Sequence, residues 1–443
     1  MASERESQQM GIWMTTALVI GTIIGGAIFM LPVTLAPLGL NAPIGWLISG
    51  VGALAIVFGL AQISKLGGEG IQANIEREFG PTIGFLATWS FWVSNWSAQA
   101  SVAVAIASAL SFIGPQFGGP SAVVPIAVGS VIFLTVVNAI GVRAAGSLSV
   151  ITVAIKILPL LAVIWLFARH GASGTSYQPF APAPVTVANL ASATALTFFA
   201  LTGFEAATAP VSKIRDAART IPRALIGGTA FVALLYLVAG TSIQMLLPAS
   251  VVAASPAPFA DALVSQWGHG AASFAALAIA VAAFGCLNCL ILGTGELGYS
   301  MALRGDLPSA MARTRGANTP VVSQIVGSIL TIMLLLANSS RATASLYTFI
   351  ILLSTAAVIV VYLAGVLAAW KVNPAPGARA IVAVAVLFIA FAIYGTGWVA
   401  DAWCLVLLAA GLGIRAVMHR LNARAGSTPL AAATADALPE SSS

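Results

Sequence analysis

Apolar residues dominate this chain in long runs, and short polar or glycine- and proline-containing breaks separate the runs. A helix needs about 20 predominantly apolar residues, within a range of roughly 17–25, to cross the hydrocarbon core of a bilayer. Twelve runs meet this requirement, which predicts an all-α polytopic membrane protein with twelve transmembrane helices. The predicted segments are roughly 12–36, 43–63, 83–113, 122–141, 147–168, 188–209, 224–247, 271–301, 319–338, 343–369, 378–396 and 400–418.

Segments 1 and 6 differ from the others because each contains an interruption. Segment 1 contains Gly25-Gly26, and segment 6 contains Gly203-Phe204-Glu205. Glycine adopts backbone conformations that other residues resist, and non-helical backbone survives inside a membrane only where it lines a cavity or is buried in protein. Two broken helices five segments apart are typical of transporters with inverted repeats. We therefore predict a 5+5 repeat, with repeat one at about 12–168, repeat two at about 188–369, and two extra helices at about 378–418.

Composition and charge support a membrane protein and predict its orientation. The chain is 59% hydrophobic and only 7% charged, with a mean hydropathy of +0.99, whereas soluble domains carry about 25% charged residues. The net charge of +6 does not indicate nucleic acid, because its distribution follows the predicted segments. With a cytoplasmic N-terminus, all 19 Lys and Arg residues except Arg169, Arg341 and Lys156 lie on the cytoplasmic side. The positive-inside rule thus predicts a multi-pass protein of the cell (inner) membrane with both termini in the cytoplasm. The outer loops near 169–187 and 248–270 are rich in Pro, Ser and Gly, which favours short extracellular connections.

One domain accounts for almost the whole chain. We expect a single transporter domain at 10–420, between a cytoplasmic tail at 1–9 and a cytoplasmic tail at 421–443. The second tail is rich in Ala, Ser, Thr and Pro and lacks an apolar period, which predicts disorder. The three cysteines lie in apolar segments, so we expect no disulfide framework, and neither a metal nor a cofactor is predicted.

The two interruptions suggest how a ligand is held. The N–H groups near Gly26, Ala27 and Ile28, at the start of the half-helix after the first break, are placed to bind a carboxylate. In segment 6, the carbonyls freed between Phe198 and Glu205 are placed to accept from an ammonium group, and the aromatic side chains there can cover the ligand. A molecule with both groups on one carbon is an α-amino acid. The alternative is that these glycines only allow helices to cross closely, and the sequence leaves it open.

Two ionisable residues lie inside predicted segments. Lys156 is about ten residues from either end of segment 5, and a charge at that depth costs roughly 2.5–3.5 kcal/mol on insertion scales. Glu205 lies in segment 6, where burial disfavours its charged form. We predict that both residues participate in proton coupling. The alternatives are a lysine that reaches an interface and a protonated glutamic acid with a purely structural role.

Three motifs resemble those of the amino acid–polyamine–organocation superfamily, and within it the basic amino acid/polyamine antiporters such as the arginine/agmatine antiporters. They are G-T-I-I-G-G-A-I-F-M-L-P at Gly21–Pro32, W-V-S-N at Trp92–Asn95, and F-F-A-L-T-G-F-E-A-A-T with the following R-D-A-A-R-T-I-P-R-A. The resemblance runs from about Gly11 to Arg420. It implies the leucine-transporter-like fold and alternating access. It also implies a set of substrate-binding residues, which are Ile24, Gly25, Gly26, Ala27, Asn95, Phe199, Thr202, Gly203 and Ser354.

Departures from that family bear on the substrate. The usual G-S-G of segment 1 is Gly25-Gly26-Ala27, and Phe199 replaces a tryptophan gate. Because a guanidinium prefers aromatic faces and acceptors, and this pocket has fewer of both, a neutral or moderately polar amino acid is favoured at least as much as arginine. Lys156 stands in a K-x-x-P-L setting that resembles proton-coupled permeases. That resemblance implies that its amine occupies the place of a sodium ion, near the carbonyls of Gly21 and Ile24.

We therefore predict a secondary active amino acid transporter, with proton coupling, and not an enzyme. The alternative is an obligate exchanger of an amino acid against an amine, of arginine/agmatine or polyamine type. An intramembrane enzyme would need a nucleophile–base pair or metal ligands, and a channel would need a filter, and neither pattern is present in the sequence. The expected partners are the small-molecule substrate, an amino acid or an amine, and the lipid bilayer. The identity of the substrate and the oligomeric state stay open, a homodimer included.

Overall fold

The computed structural model describes residues 10–66, 70–117, 120–140, 145–205, 214–315 and 319–425. Within these ranges the regular structure is helical, apart from two isolated bridges that join Met10 to Ile214 and Arg315 to Thr319. The predicted tail at 1–9, residues 426–443 of the tail predicted at 421–443, and the part of segment 6 after Glu205 lie outside the described residues. Residues 421–425 of the second tail continue the last described helix.

Fourteen α-helices follow one another along the described ranges. They are α1 (Ile12–Ile23), α2 (Ala27–Leu35), α3 (Asn41–Ile63), α4 (Gly70–Phe79), α5 (Pro81–Ile113), α6 (Pro120–Ile140), α7 (Ala145–Ala172), α8 (Val187–Leu201), α9 (Ala217–Leu246), α10 (Ala249–Ala254), α11 (Pro258–Leu303), α12 (Val321–Ala337), α13 (Thr343–Val372) and α14 (Pro376–Ala425).

Eight of the described helices are long and apolar enough to cross a membrane, and the bent pair of α1 and α2 passes the same test together. The helices α8 and α12 are apolar but shorter. These findings confirm a polytopic, all-helical protein. In α14 a non-helical residue, Gly397 with φ of 79° and ψ of 150°, lies between predicted segments 11 and 12.

Helix ends follow local sequence signals. Gly80 has φ of 83°, which favours glycine, and Pro81 occupies the first turn of α5. Thr186 caps α8, because its hydroxyl accepts from the N–H of Asn189 at 3.2 Å. The expectation that 248–270 is only a connecting loop is wrong. α10 and the first part of α11 lie there, and α11 passes through the non-helical Gly268 before it enters predicted segment 8.

Burial separates a central group of helices from peripheral ones. In α5 and α13, 72% of the residues in the most apolar 18-residue stretch are buried inside the protein, whereas in α7 the corresponding share is only 28%. Small residues bring the central helices close together. A Cβ on Gly45 of α3 would lie 2.8 Å from the Cβ of Ala193 in α8, so only glycine permits this approach.

Buried polar side chains cross-link the central helices. Gln99 of α5 donates to the hydroxyl of Thr294 in α11 at 2.7 Å and accepts from the hydroxyl of Thr331 in α12 at 3.0 Å. Asn138 of α6 donates to Asn288 of α11 at 2.8 Å. Without water in a bilayer core, such groups need partners within the protein.

Candidate functional site

The first element of the candidate site is the break between α1 and α2, which are bent by 46° relative to each other. The N–H of Ile24 still bonds to the carbonyl of Ile20, while the N–H of Gly25 turns back to Ile23. α2 then begins at Ala27, and the N–H of Phe29 bonds to Gly26. The first N–H groups of any helix lack an acceptor within that helix. The helix start at Ala27 therefore presents donors at a partial positive charge.

Side chains of α5 and α11 pack against this break. A Cβ on Gly25 would lie 3.1 Å from the Sγ of Cys286, and a Cβ on Gly26 would lie 3.2 Å from the Cβ of Ala283. A serine at the second position, as in the related G-S-G motif, would therefore need the neighbouring helix to move. Sequence reasoning did not place Cys286 at the site, because an apolar run in isolation does not show which helix faces the break.

The second element is the end of α8. The helix ends at Leu201, Thr202 is extended with φ of −75° and ψ of 163°, and Gly203 has φ of 108°. A Cβ on Gly203 would lie only 2.8 Å from the carbonyl oxygen of Thr22 in α1. The two interruptions predicted from the sequence thus lie in direct contact, although they are about 180 residues apart in the chain.

Glu205 lies just beyond this contact and is 8% exposed. Its carboxylate oxygen accepts from the hydroxyl of Tyr362 in α13 at 2.6 Å and from the backbone N–H of Gly203 at 3.2 Å. The ring of Phe204 stacks on Tyr362 with a centroid distance of 5.0 Å. The carboxyl group therefore links the break in segment 6 to α13. Sequence reasoning missed Tyr362, because its hydroxyl is one of many in apolar helices.

Phe199 lies on the last turn of α8, and Thr202 directly follows the helix. Phe199 is only 6% exposed, and the hydroxyl of Thr202 donates to the carbonyl of Phe199 at 2.7 Å. That bond occupies one of the carbonyls that the helix end leaves without an intrahelical donor. The Phe199 ring is covered by the protein, and its role in closing over a bound substrate stays a prediction.

Two tyrosines hold the backbone on either side of the first break. The hydroxyl of Tyr236 in α9 donates to the carbonyl of Ile23 at 3.3 Å, and the hydroxyl of Tyr347 in α13 donates to the carbonyl of Ala27 at 2.8 Å. Both side chains are fully buried. These bonds satisfy backbone oxygens in an apolar environment, where an unpaired carbonyl is costly. Neither tyrosine was among the predicted site residues.

Lys156 of α7 is buried, with 5% exposure, and its ammonium donates to the carbonyl of Gly21 at 3.5 Å. This carbonyl is one of the two that the family resemblance implies. The lysine therefore does not reach an interface, and the structure is inconsistent with the alternative of a snorkelling side chain. Its role in proton coupling stays a prediction.

Asn95 lies on α5 and Ser354 lies on α13, two of the central helices of the bundle. The amide of Asn95 donates to Phe91 in its own helix at 2.8 Å, and its oxygen approaches Gly293 of α11. The hydroxyl of Ser354 bonds to the hydroxyl and carbonyl of Ser94 at 3.0 and 2.9 Å. Ser354 is 1% exposed and joins two helices here, so only a side-chain rotation would present it to a substrate.

The electrostatic character of the site follows from these groups. The start of α2 offers N–H donors for an anion, the end of α8 offers carbonyl oxygens for a cation, and the Lys156 amine lies beside the Gly21 carbonyl of α1. Among the described residues, no group of three or more His, Cys, Asp or Glu side chains lies close enough to hold a metal ion. The arrangement suits the binding of a zwitterion.

Comparisons with known proteins identify related sequences and a solved structure with a similar fold. Residues 10–419 match the amino acid permease family. The chain is 27% identical over 411 residues to the putrescine transporter PotE of Escherichia coli strain K12, which covers 89% of this chain and 92% of the relative. It is 26% identical over 352 residues to the cadaverine/lysine antiporter of the same strain, with coverage of 76% and 78%. The crystal structure of MhsT in complex with L-phenylalanine has a TM-score of 0.57, at 14% identity, over 90% of this chain and 98% of that chain.

Proposed function

From the premise that the chain belongs to the amino acid permease family, we propose that it is a secondary active transporter that moves an amino acid across the membrane by alternating access. The observation that carries this proposal is the contact between the two broken segments, where Gly203 lies against the carbonyl of Thr22. A site between two half-helices near the middle of a bundle is how transporters with inverted repeats hold their substrates.

Each end of the substrate has a matching group. The carboxylate binds the N–H groups at the start of α2, around Gly26 and Ala27, where the helix dipole favours negative charge. The ammonium binds the carbonyls around Thr202 and Gly203. Phe199 covers the substrate. Ile24, Gly25, Asn95 and Ser354 complete the proposed wall.

The same premise supports twelve spans in a 5+5 repeat. The eight long helices, the bent pair of α1 and α2, and the shorter α8 and α12 make eleven when α14 is one span. The break at Gly397 divides α14 into two helices of membrane-spanning length. The broken helices then fall first and sixth, at the start of each repeat.

Basic side chains that gather at one end of the helix bundle support the proposed orientation in the inner membrane. Asp306, after α11, pairs with Arg415 at 2.8 Å and with His419 at 3.0 Å near the end of α14. Arg304 pairs with Glu76 of α4 at 3.0 Å. These ion pairs gather α4, α11 and α14 at the end of the bundle where the positive-inside rule places the cytoplasm.

Movement between the open states is proposed to pass through Glu205 and Lys156. The bond between Glu205 and Tyr362 ties the segment 6 break to α13, and proton binding to the carboxylate alters that bond. Lys156 holds the Gly21 carbonyl of α1, and loss of its proton removes an N–H donor and the charge. Both groups lie on the moving half-helices or beside them, so their protonation is coupled to the position of those helices.

The second candidate is an obligate exchanger of an amino acid against an amine. It is favoured by the names of two relatives, a putrescine transporter and a cadaverine/lysine antiporter. Glu205 is the described acidic group closest in sequence to the segment 6 break, and a second ammonium would need such a carboxylate.

Ligand binding to the purified protein tests the proposed site directly. Amino acids that bind are first identified because they raise the melting temperature of the protein. Isothermal titration then compares each of them with its own methyl ester, which keeps the ammonium group and removes the anionic carboxylate. We expect the ester to bind at least tenfold more weakly. Comparable binding of the pair would contradict the carboxylate site at α2 and would identify amines as ligands.

Uptake in proteoliposomes separates the two functions. Net accumulation into empty liposomes under an inward proton gradient supports a proton-coupled transporter. Uptake only into liposomes preloaded with an amino acid or amine supports the exchanger. Absence of uptake under both conditions, for ligands that bind, would contradict both proposals.

A further inference from the structure

A second feature of the molecule is an apolar groove on the outer surface of the helix bundle. It encloses about 350 Å³ between α3, α9 and α14. The residues that line it are Val51, Leu54, Ala55, Phe58, Ile226, Ile381 and Val384. All of them are apolar, and Val51 and Val384 are 61% and 46% exposed. This feature is called the groove below.

Two glycines of α3 define where the groove begins. At Gly50 a Cβ would lie 3.4 Å from the Cβ of Ala233, so α9 packs closely here. At Gly52 the ring of Phe388 of α14 fills the space that a side chain would take. Beyond these contacts, toward the end of α3 at Ile63, Leu54 and Phe58 form the floor. The groove therefore lies in the half of the bundle that leads to the proposed cytoplasmic surface.

Basic residues continue the groove-lining faces of two helices toward that surface. On α9, Arg223 and Arg219 precede Ile226 by three and seven residues, and this spacing keeps all three on one face. Arg223 is exposed, and the Arg219 side chain is 78% exposed, with its one described acidic partner, Asp216, at 4.0 Å. On the other side, Lys65 follows Phe58 by seven residues, and it is also exposed.

We propose that the groove binds an acyl chain of an anionic phospholipid from the cytoplasmic leaflet, with the headgroup phosphate against Arg219, Arg223 and Lys65. The chemistry is complementary at both ends of such a lipid. The apolar floor matches a hydrocarbon chain, and the basic residues lie where a phosphate would be at the membrane surface. The cytoplasmic leaflet is rich in anionic lipids, and basic residues near it attract them. This assignment is independent of the transported substrate.

Native mass spectrometry of the full-length protein tests whether the basic residues beside the groove select an anionic lipid headgroup. The purified protein is exposed to an equimolar mixture of phosphatidylglycerol and phosphatidylcholine with identical chains, and the retained lipids are counted. We expect selective retention of phosphatidylglycerol and a loss of about tenfold in its affinity in the double variant R219Q/R223Q. The matched control R420Q/R424Q removes two exposed arginines from the end of α14, on the same side of the membrane, and is expected to keep the selectivity.

A second pair of variants tests the groove without changing charge. V51W fills the groove and is expected to lower phosphatidylglycerol retention several-fold. L47W places the same ring one turn earlier on the same exposed face of α3, outside the groove, and is expected to retain the lipid. Equal retention of the two lipids by the wild type would overturn the proposal. So would an equal loss in each variant and its control.

Discussion

The substitution Gly203→Ala tests whether contact between the two broken segments is required for function. Gly203 has φ of 108°, outside the region that L residues favour, and its added Cβ would lie 2.8 Å from the Thr22 carbonyl oxygen. The methyl group therefore meets two separate obstacles. One is local backbone strain, and the other is a collision with the backbone of α1.

The cost of each obstacle can be estimated. A residue held in a sparsely populated backbone region costs on the order of 1–3 kcal/mol. Overpacking by one methyl group typically costs roughly another 1–3 kcal/mol, and a backbone oxygen cannot rotate away as a side chain can. The total is roughly 2–6 kcal/mol, and the part that comes from the collision is relieved if α1 and the end of α8 move apart. That movement separates the proposed carboxylate and ammonium sites, so we expect at least a tenfold loss of substrate affinity and of uptake.

The control is Gly268→Ala in α11. Gly268 also has a positive φ, of 75°, but no atom lies within 4 Å of its added Cβ. This variant bears the backbone cost without the collision. Both variants should melt at a lower temperature than the wild type, whereas only Gly203→Ala should lose substrate binding in isothermal titration and uptake in proteoliposomes. If the two variants lose binding equally, or if Gly203→Ala transports like the wild type, the contact between the breaks does not position the substrate.

Three further predictions test the remaining parts of the structure. Lys156→Ala and Lys156→Met should both fold, because each removes a buried charge. Proton-driven accumulation of substrate should fail in both variants, while exchange persists. Uptake with the wild-type dependence on the proton gradient would show that the lysine is structural. Phe199→Ala should lower uptake strongly with little change in expression, whereas Phe199→Trp should be tolerated, and full uptake by the alanine variant would refute its covering role. Asp306→Asn should destabilise the protein by roughly 3–5 kcal/mol, because it leaves the largely buried Arg415 without its carboxylate partner. Asp216→Asn, in the exposed pair with Arg219, should change stability by less than about 1 kcal/mol, and similar melting temperatures for these two variants would contradict this assignment.

Much of the fold follows from the sequence because a bilayer imposes strong rules on it. Apolar runs of membrane-spanning length have few alternatives to helices, since every backbone group must find an internal partner. Breaks are also predictable, because glycine tolerates non-helical backbone. The structure ends α1 at Ile23, just before Gly25-Gly26, and α8 at Leu201, just before Gly203. The family resemblance is confirmed by the match over residues 10–419.

The outer connection at 248–270 shows where such reasoning fails. Pro, Ser and Gly in this stretch suggested a loop, but α10 and the start of α11 form there. Proline is tolerated in the first turn of a helix, where its missing N–H is not needed, and Pro258 occupies that position in α11. A polar and glycine-containing composition therefore does not exclude short helices outside the membrane.

A helical membrane protein with two interrupted segments and two costly ionisable residues follows from the amino-acid sequence, because length, hydropathy and glycine placement are local properties. Which groups meet at those interruptions depends on the folded bundle. Tyr236, Tyr347, Tyr362 and Cys286 come from three different helices, and no local pattern distinguishes them from other residues of apolar runs. Their placement depends on how far each helix is rotated and shifted against its neighbours. That rotation is set by packing across the whole bundle, since lipid is as apolar as the helix faces and does not select one face for burial.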